Sequence, residues 1–313
     1  MKPGGSRRLR YVACAGAAAL LASACGAVGA SEAVTLAVNP WTGHEVDNAI
    51  AQVLLEDEVG ADVETVDIDE NAAWPGMADG DIDANLEVWP SGHQDDIDKY
   101  IDNGDDIIDG GELGVIGIIG WYTPTYVVEE NPELATYEGI YDNAELFATA
   151  ETGDQGQFLA ADPSYVSYDK QIVENLDLPL EVVQTGSEAA SLASLESAYE
   201  DEDPILMYFY EPHWAHAVYD LTQVELPPYS DECYEEVSQI DCGYPEDVLM
   251  KVFNAELPEK APEAYELLAS MQLTNEQQNE VAAMIEVDDM DPEEAAEAWV
   301  DDNEAVWSEW LPQ

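Results

Sequence analysis

Three stretches of this 313-residue chain set aromatic rings beside Gly, Pro and His in a way that a plain core does not require. They are Glu87-Val-Trp-Pro-Ser-Gly-His93, Asp162-Pro-Ser-Tyr-Val-Ser-Tyr168 and Tyr208-Phe-Tyr-Glu-Pro-His-Trp214. Trp89 and Tyr210 each end an expected strand, and Tyr165 opens an expected helix. Carboxyl ends of strands and amino ends of helices are where α/β folds place ligands, so the chemistry these positions suit is the binding of a small molecule. The plainer reading makes all three rings core aromatics, which is the commoner fate of any single Tyr or Trp.

Other chemical signals are weaker. His213-Trp-Ala-His216, beside Glu211, has metal-like spacing, but a lone pair of this kind reads first as structural, with Pro212 starting a helix there. Asp67-Ile-Asp-Glu-Asn71 begins like a calcium loop, yet Ala72 stands where that loop needs Gly and Ala78 where it needs Glu. Gly114, Gly117 and Gly120 recur every third residue inside an apolar strand, where close packing explains them better than a dinucleotide fingerprint does. The sequence contains no Walker motif, G-x-S-x-G elbow or H-E-x-x-H. Carboxylates are abundant, but no pair stands out as a glycosidase pair from a solvated acidic surface. No metal or cofactor is expected.

The elements that must carry the rings follow from periodicity. Val34 to Val38 reads as a buried strand ended by Asn39-Pro40. Thr42-Gly-His-Glu45 has the form of a capping box ahead of a helix with Val46, Ile50, Val53 and Leu54 on one face, closed by Gly60. Val63 to Val66, a helix over Asn71 to Asp79, and a strand from Ile82 to Trp89 complete a β-α-β-α-β start. Leu113 to Ile119 is a further buried strand running into Gly120-Trp-Tyr-Thr-Pro124. The middle repeats the pattern: a helix over Tyr165 to Asn175, a short strand at Val182-Val183, a helix over Ser187 to Tyr199 and an apolar strand from Ile205 to Tyr210. The last third is helical. Thr274-Asn-Glu-Gln277 and Asp291-Pro-Glu-Glu294 both start helices, and Trp299, Trp307 and Trp310 read as core. Two α/β lobes joined by two extended crossings suggest a hinged cleft.

Composition removes whole classes of function. The chain has 69 acidic and 8 basic residues, and four of the basic ones lie in the first ten positions. The remaining four lysines are set against all 69 acids, a net charge of −65 for the body. Such a chain cannot displace counterions from phosphates, so nucleic acid is excluded, and it has no basic face for anionic lipid. With 46% hydrophobic residues, 8 Trp and 16 Tyr it is not an acidic disordered chain either. The balance is that of a folded protein built for concentrated salt, where carboxylate repulsion is screened.

The N-terminus reads as an export signal: a charged Lys2 to Arg10, an apolar Val12 to Leu21 too short to span a bilayer, then small residues. Ala22-Ser-Ala-Cys25 after Leu20-Leu21 resembles a bacterial lipobox, which makes Cys25 the lipidated first residue of the mature protein. The alternative is an ordinary A-x-A cleavage site with Cys25 incidental. The cysteine's position and the polar tether after it favour the lipoprotein, held by lipid on the outer face of the cell membrane. Cys14 leaves with the signal, so Cys233 and Cys242 remain. In an oxidising compartment they are expected to form a disulfide.

An ordered set of motifs resembles the glycine betaine-binding proteins of ABC importers over nearly all of the mature chain. It comprises Asn39-Pro-Trp41, Gly80-Asp-Ile-Asp83 followed by Trp89, Gly120-Trp-Tyr122, Tyr210-Glu-Pro-His-Trp214 and Pro292-Glu-Glu-Ala-Ala-Glu-Ala-Trp299. The resemblance implies a two-lobed, type II-like periplasmic-binding-protein fold of α/β class. Residues 1–24 are then the signal peptide, 25–33 the tether, 34–119 the first part of lobe 1, 120–224 lobe 2, and 225–313 the return to lobe 1. It also implies three rings around a trimethylammonium head. Trp89 matches the first cage Trp, while Tyr165 and Tyr210 stand where many members have Trp. His93 matches a histidine that helps hold the ligand carboxylate. A trimethylammonium group has no N–H to donate, and aromatic faces suit its diffuse charge at about 0.5–2 kcal/mol per ring. The backbone N–H groups of Val166 and Ser167, at a helix start, would meet the carboxylate. The expected protein is a monomer that captures glycine betaine and hands it to a permease with its ATPase. Choline, carnitine, proline betaine and ectoine are alternative ligands. An extracellular hydrolase and a calcium-dependent structural lipoprotein are rivals from other classes.

Overall fold

The computed structural model describes residues 33–312. The signal peptide, Cys25 and nearly all of the tether therefore lie outside the described residues.

Nine strands form one mixed sheet: β1 (Val34–Val38), β2 (Val63–Asp67), β3 (Ala84–Val88), β4 (Ile107–Pro124), β5 (Gly156–Ala160), β6 (Leu180–Gln184), β7 (Met207–Glu211), β8 (Leu221–Gln223) and β9 (Glu246–Asn254). Their order is β2-β1-β3-β9-β4-β7-β5-β6, with β8 paired to β4. β1 pairs in parallel with β2 and β3, and β5 with β6 and β7, the arrangement that β-α-β crossovers produce. The two parallel halves are joined through the 18-residue β4, whose early part pairs with β9 and whose late part pairs with β7 and β8. β3 is buried along its whole length, and so carries Asn85 and Glu87 into the interior alongside Leu86 and Val88. Burial of both faces is what covering helices on a parallel sheet impose.

Seven helices matter for the site and the core: α1 (Thr42–Leu54), α2 (Glu70–Ala78), α3 (Asp169–Asn175), α4 (Glu188–Asp201), α5 (Pro262–Ser270), α6 (Asn275–Glu286) and α7 (Pro292–Asp302). The last three return to the first half of the sheet, where α1 packs on α6 and α7. Gln277 closes a capping box with Thr274, and Asp291 caps α7 ahead of Pro292, as the sequence predicts. Trp299, Trp307 and Trp310 are buried. Cys233 and Cys242 form a disulfide, and Asn175 Nδ2 holds the carbonyls of Ser238 (3.2 Å) and Ile240 (2.9 Å) in the loop it closes.

Two expected helix starts need correction. α1 begins at Thr42 itself, with Trp41 in the cap position, and there is no capping box. The Thr42 hydroxyl instead donates across to Glu188 at 2.8 Å. The helix expected from Tyr165 begins at Asp169. Asp162 folds the preceding residues into a turn by accepting from the backbone and hydroxyl of Ser164 at 2.7 and 2.6 Å. Val166 and Tyr168 then donate their backbone N–H groups to Glu70 and Tyr244 rather than to a helix. The two histidines with metal-like spacing have local roles. His213 Nδ1 accepts from Ala215 N at 3.1 Å, and His216 Nε2 lies 3.0 Å from the Tyr210 carbonyl. His213 caps a short 3-10 turn, Trp214–Ala217, and His216 lies within it.

Candidate functional site

The ends of β1, β3 and β7, the start of α2 and the turn before α3 converge on one pocket. Trp89, Tyr165 and Tyr210, named from three separate stretches of sequence, all line it. So do Trp41, Tyr168, Tyr208 and Tyr244, which sequence reasoning had not assigned to the site. Trp41 follows the end of β1 as Trp89 follows β3, so the strand-end rule would have found it. The rings meet mostly edge to face. Trp89 and Tyr210 have centroids 5.7 Å apart at 86°, and Trp41 and Tyr165 are 5.4 Å apart at 86°. Edge-to-face packing turns faces of neighbouring rings toward a shared space, the geometry that presents negative quadrupoles to a cation.

A buried carboxylate fixes the two indoles from behind. Glu87 Oε1 accepts from Trp41 Nε1 at 2.8 Å and from Trp89 Nε1 at 2.9 Å, and Oε2 accepts from Gln278 Nε2 at 3.0 Å. The same Gln278 nitrogen lies 3.1 Å from both oxygens of Asp47. Burial raises the pKa of both acids, and for Asp47 the nearby Glu87 raises it further, to well above the carboxylate range. Two like charges this close do not both ionise. Glu87, which accepts three N–H donors, is the better placed of the two to keep the charge, and Asp47 to hold the proton. One negative charge therefore sits behind the indole edges.

The tyrosine side has its own carboxylate. Glu188, at the start of α4, accepts from the hydroxyls of Tyr210 (2.6 Å) and Tyr165 (3.1 Å) through one oxygen. Its other oxygen accepts from the backbone (3.1 Å) and hydroxyl (2.8 Å) of Thr42, and His213 Nε2 is 3.6 Å from it. Thr42 belongs to the first half of the sheet and Glu188 to the second. Tyr165 OH also reaches the Pro40 carbonyl at 2.7 Å, and Tyr168 OH the Ser91 carbonyl at 3.2 Å. The pocket thus lies where the halves meet.

The three groups expected to meet a ligand carboxylate are placed differently. His93 is buried beside the pocket but does not line it. Its Nε2 is 2.9 Å from Glu70 Oε2 and its Nδ1 is 3.2 Å from Asp96 Oδ2. Burial alone would lower the pKa of the ring, but the hydrogen bonds to Asp96 and Glu70 outweigh it and raise it to about 9. The same Nδ1 also accepts from Trp74 Nε1 at 3.1 Å, so the ring is held through both nitrogens. Val166 lines the pocket, and its N–H donates to Glu70 Oε1. Ser167 faces a separate groove with Lys170 and Gln184 and takes no part in this pocket. Glu70 gave no signal in the sequence. It is one acid among 69, and its importance comes from partners 23 and 96 residues away.

Comparison with known proteins agrees with this geometry. The family profile described as the substrate binding domain of ABC-type glycine betaine transport systems matches residues 32–302. The chain is 25% identical over 285 residues to the trimethylamine N-oxide-binding protein of Pelagibacter ubique, covering 88% of this chain and 89% of that one. Among solved structures it is similar to lactococcal OpuAC, closed and complexed with glycine betaine, with a TM-score of 0.71 at 20% identity over 90% of this chain and all of that one. It is also similar to an ABC-transporter choline binding protein in complex with choline, with a TM-score of 0.73 at 20% identity over 89% and 92% of the two chains. These structures establish the two-lobed periplasmic-binding-protein fold.

Proposed function

Because this chain belongs to the substrate-binding domain family of ABC-type glycine betaine transport systems, whose members bind solutes and are not enzymes, we propose that its aromatic pocket captures a small quaternary-amine osmolyte of the glycine betaine type. Trp89, Tyr165 and Tyr210 form the cage, and Trp41 and Tyr208 extend it. The observation that carries this reading is the convergence of rings from three distant segments on one pocket, with both indoles pinned to a single buried carboxylate. A cation without N–H donors is bound through faces, and several faces must be held at fixed angles for their attractions to add.

Capture works by closure. A ligand that touches both halves stabilises the closed state, which the permease and its ATPase then receive. We take the lobes as 34–119 with 246–313, and 120–245. The hold of Asn175 in the second half on the disulfide loop supports a return crossing at β9 in place of residue 225. Lipid on Cys25 would keep the protein at the outer face of the cell membrane. No helix among the described residues is long and apolar enough to cross a membrane.

The test is paired calorimetry and melting on Trp89→Ala, Tyr165→Ala and Tyr210→Ala in molar salt. Each should weaken binding of a trimethylammonium ligand by about 1–2 kcal/mol, roughly five- to thirtyfold. Rings that are merely core would lower the melting temperature and leave affinity in the folded fraction unchanged. That result in two of the three variants would remove the cage.

A further inference from the structure

Both donors that suit a ligand carboxylate already hold a carboxylate belonging to the chain. Glu70 Oε1 accepts from the Val166 backbone and Oε2 from His93 Nε2, while the side chain itself lines the pocket. Glu70 is the first residue of α2, capped by Asp69, so the helix N-terminus also favours its charge. It is 7% exposed. The arrangement fills the anion position from within. A ligand ending in a carboxylate must displace Glu70 from two hydrogen bonds or place a second negative charge beside it, and both are unfavourable in a buried site. A ligand ending in a hydroxyl meets an acceptor already in place.

We propose that Glu70 sets the specificity of this pocket, which takes a trimethylammonium ligand whose far end donates a hydrogen bond, as the hydroxyl of choline does, in preference to one that ends in a carboxylate. This rests on the aromatic-pocket reading above and narrows it. The selection has an attractive part and a repulsive part: the hydroxyl gains a charged acceptor, and the carboxylate meets a like charge. His93 acts through Glu70. Its Nε2 holds the carboxylate in position, Trp74 and Asp96 hold its Nδ1, and the ring does not line the pocket.

Calorimetry in molar salt with tetramethylammonium, choline and glycine betaine separates the possibilities, using the full chain, Glu70→Ala and Glu70→Gln. In the unaltered protein choline should bind at least tenfold more tightly than glycine betaine. Glu70→Ala frees the His93 and Val166 donors, so glycine betaine should gain about tenfold or more while choline loses a similar factor. Glu70→Gln keeps the volume without the charge and should move both affinities the same way, which provides the answer if the truncated variant does not fold. Tetramethylammonium has the charge but no hydroxyl, so it should lose less than choline in either variant, and the difference reports the hydroxyl contact. If it binds but glycine betaine outbinds choline and neither Glu70 variant improves glycine betaine, the assignment of Glu70 is overturned while the cage stands. If none of the three binds, the cage falls and the Glu70 assignment falls with it.

Discussion

Replacing Glu87 by Gln isolates the charge behind the cage from the geometry it maintains. The amide oxygen of Gln can accept from the same two indole N–H groups that Glu87 Oε1 now accepts, at 2.8 and 2.9 Å, so Trp41 and Trp89 should keep their positions. What disappears is one negative charge. A cation held on the outer face of either indole lies on the order of 8 Å from it, and at an effective dielectric constant of about 20 the lost attraction is about 2 kcal/mol. That corresponds to roughly thirtyfold in Kd. The assay compares choline with 3,3-dimethylbutanol, its neutral carbon isostere, by calorimetric titration and by competition. Choline affinity should fall about thirtyfold in Glu87→Gln while the isostere, which has the same shape and no charge, is unaffected. Equal losses for the two would mean that the substitution disturbed the rings. No loss for choline would refute the claim that the buried carboxylate contributes to binding.

Other outcomes follow from features already described. Stability should rise steeply with salt, because the body carries −65 and two of its four lysines are committed internally, Lys251 to the carbonyls of Ala269 and Met271 and Lys260 to Asp83. A melting temperature that is flat from dilute buffer to molar sodium chloride would contradict this. His93, raised to about 9 from an ordinary 6.5, contributes stability that is fully present below pH 6.5 and is lost as pH rises through 9. At most this is about 3 kcal/mol. Melting curves across that range should show the wild type losing more stability than His93→Gln. Removing the disulfide with paired Cys→Ser changes at 233 and 242, a sequence separation of only 9, should cost somewhat under about 3 kcal/mol in chemical denaturation.

Three of the rings that line the pocket were legible in the sequence because strand ends and turn chemistry are local signals. Trp89 ends a stretch that alternates apolar and polar residues and is followed by Pro90, and Tyr210 precedes Glu-Pro. The strands themselves were legible for the same reason: β1 occupies Val34–Val38 as its apolar run predicts. What could not be read was settled by distant partners. The Thr42 hydroxyl leaves its own helix for Glu188, 146 residues away. The Val166 N–H leaves a would-be helix start for Glu70, 96 residues away. At Thr42 a local rule predicted a capping hydrogen bond and at Val166 an N–H left free for a ligand, and in both places a carboxylate from another element took the donor instead. A chain with so many acids hides the few that are buried, since composition alone assigns them all to the surface.

The glycine at 117 has a consequence for descent. A Cβ there would lie 2.3 Å from Trp89 Cζ3, so the indole rests directly on bare backbone of β4. The two positions are therefore not free to change independently. In an ancestor with a smaller side chain at 89, position 117 could accept Ala. Once Trp89 is in place, Ala at 117 must either push the ring out of the pocket or bend the strand on which both halves of the sheet depend. A lineage can acquire the indole only after it has the glycine, and can discard the glycine only after it gives up the indole. The order of those two substitutions is fixed by sterics, whatever ligand selection favours.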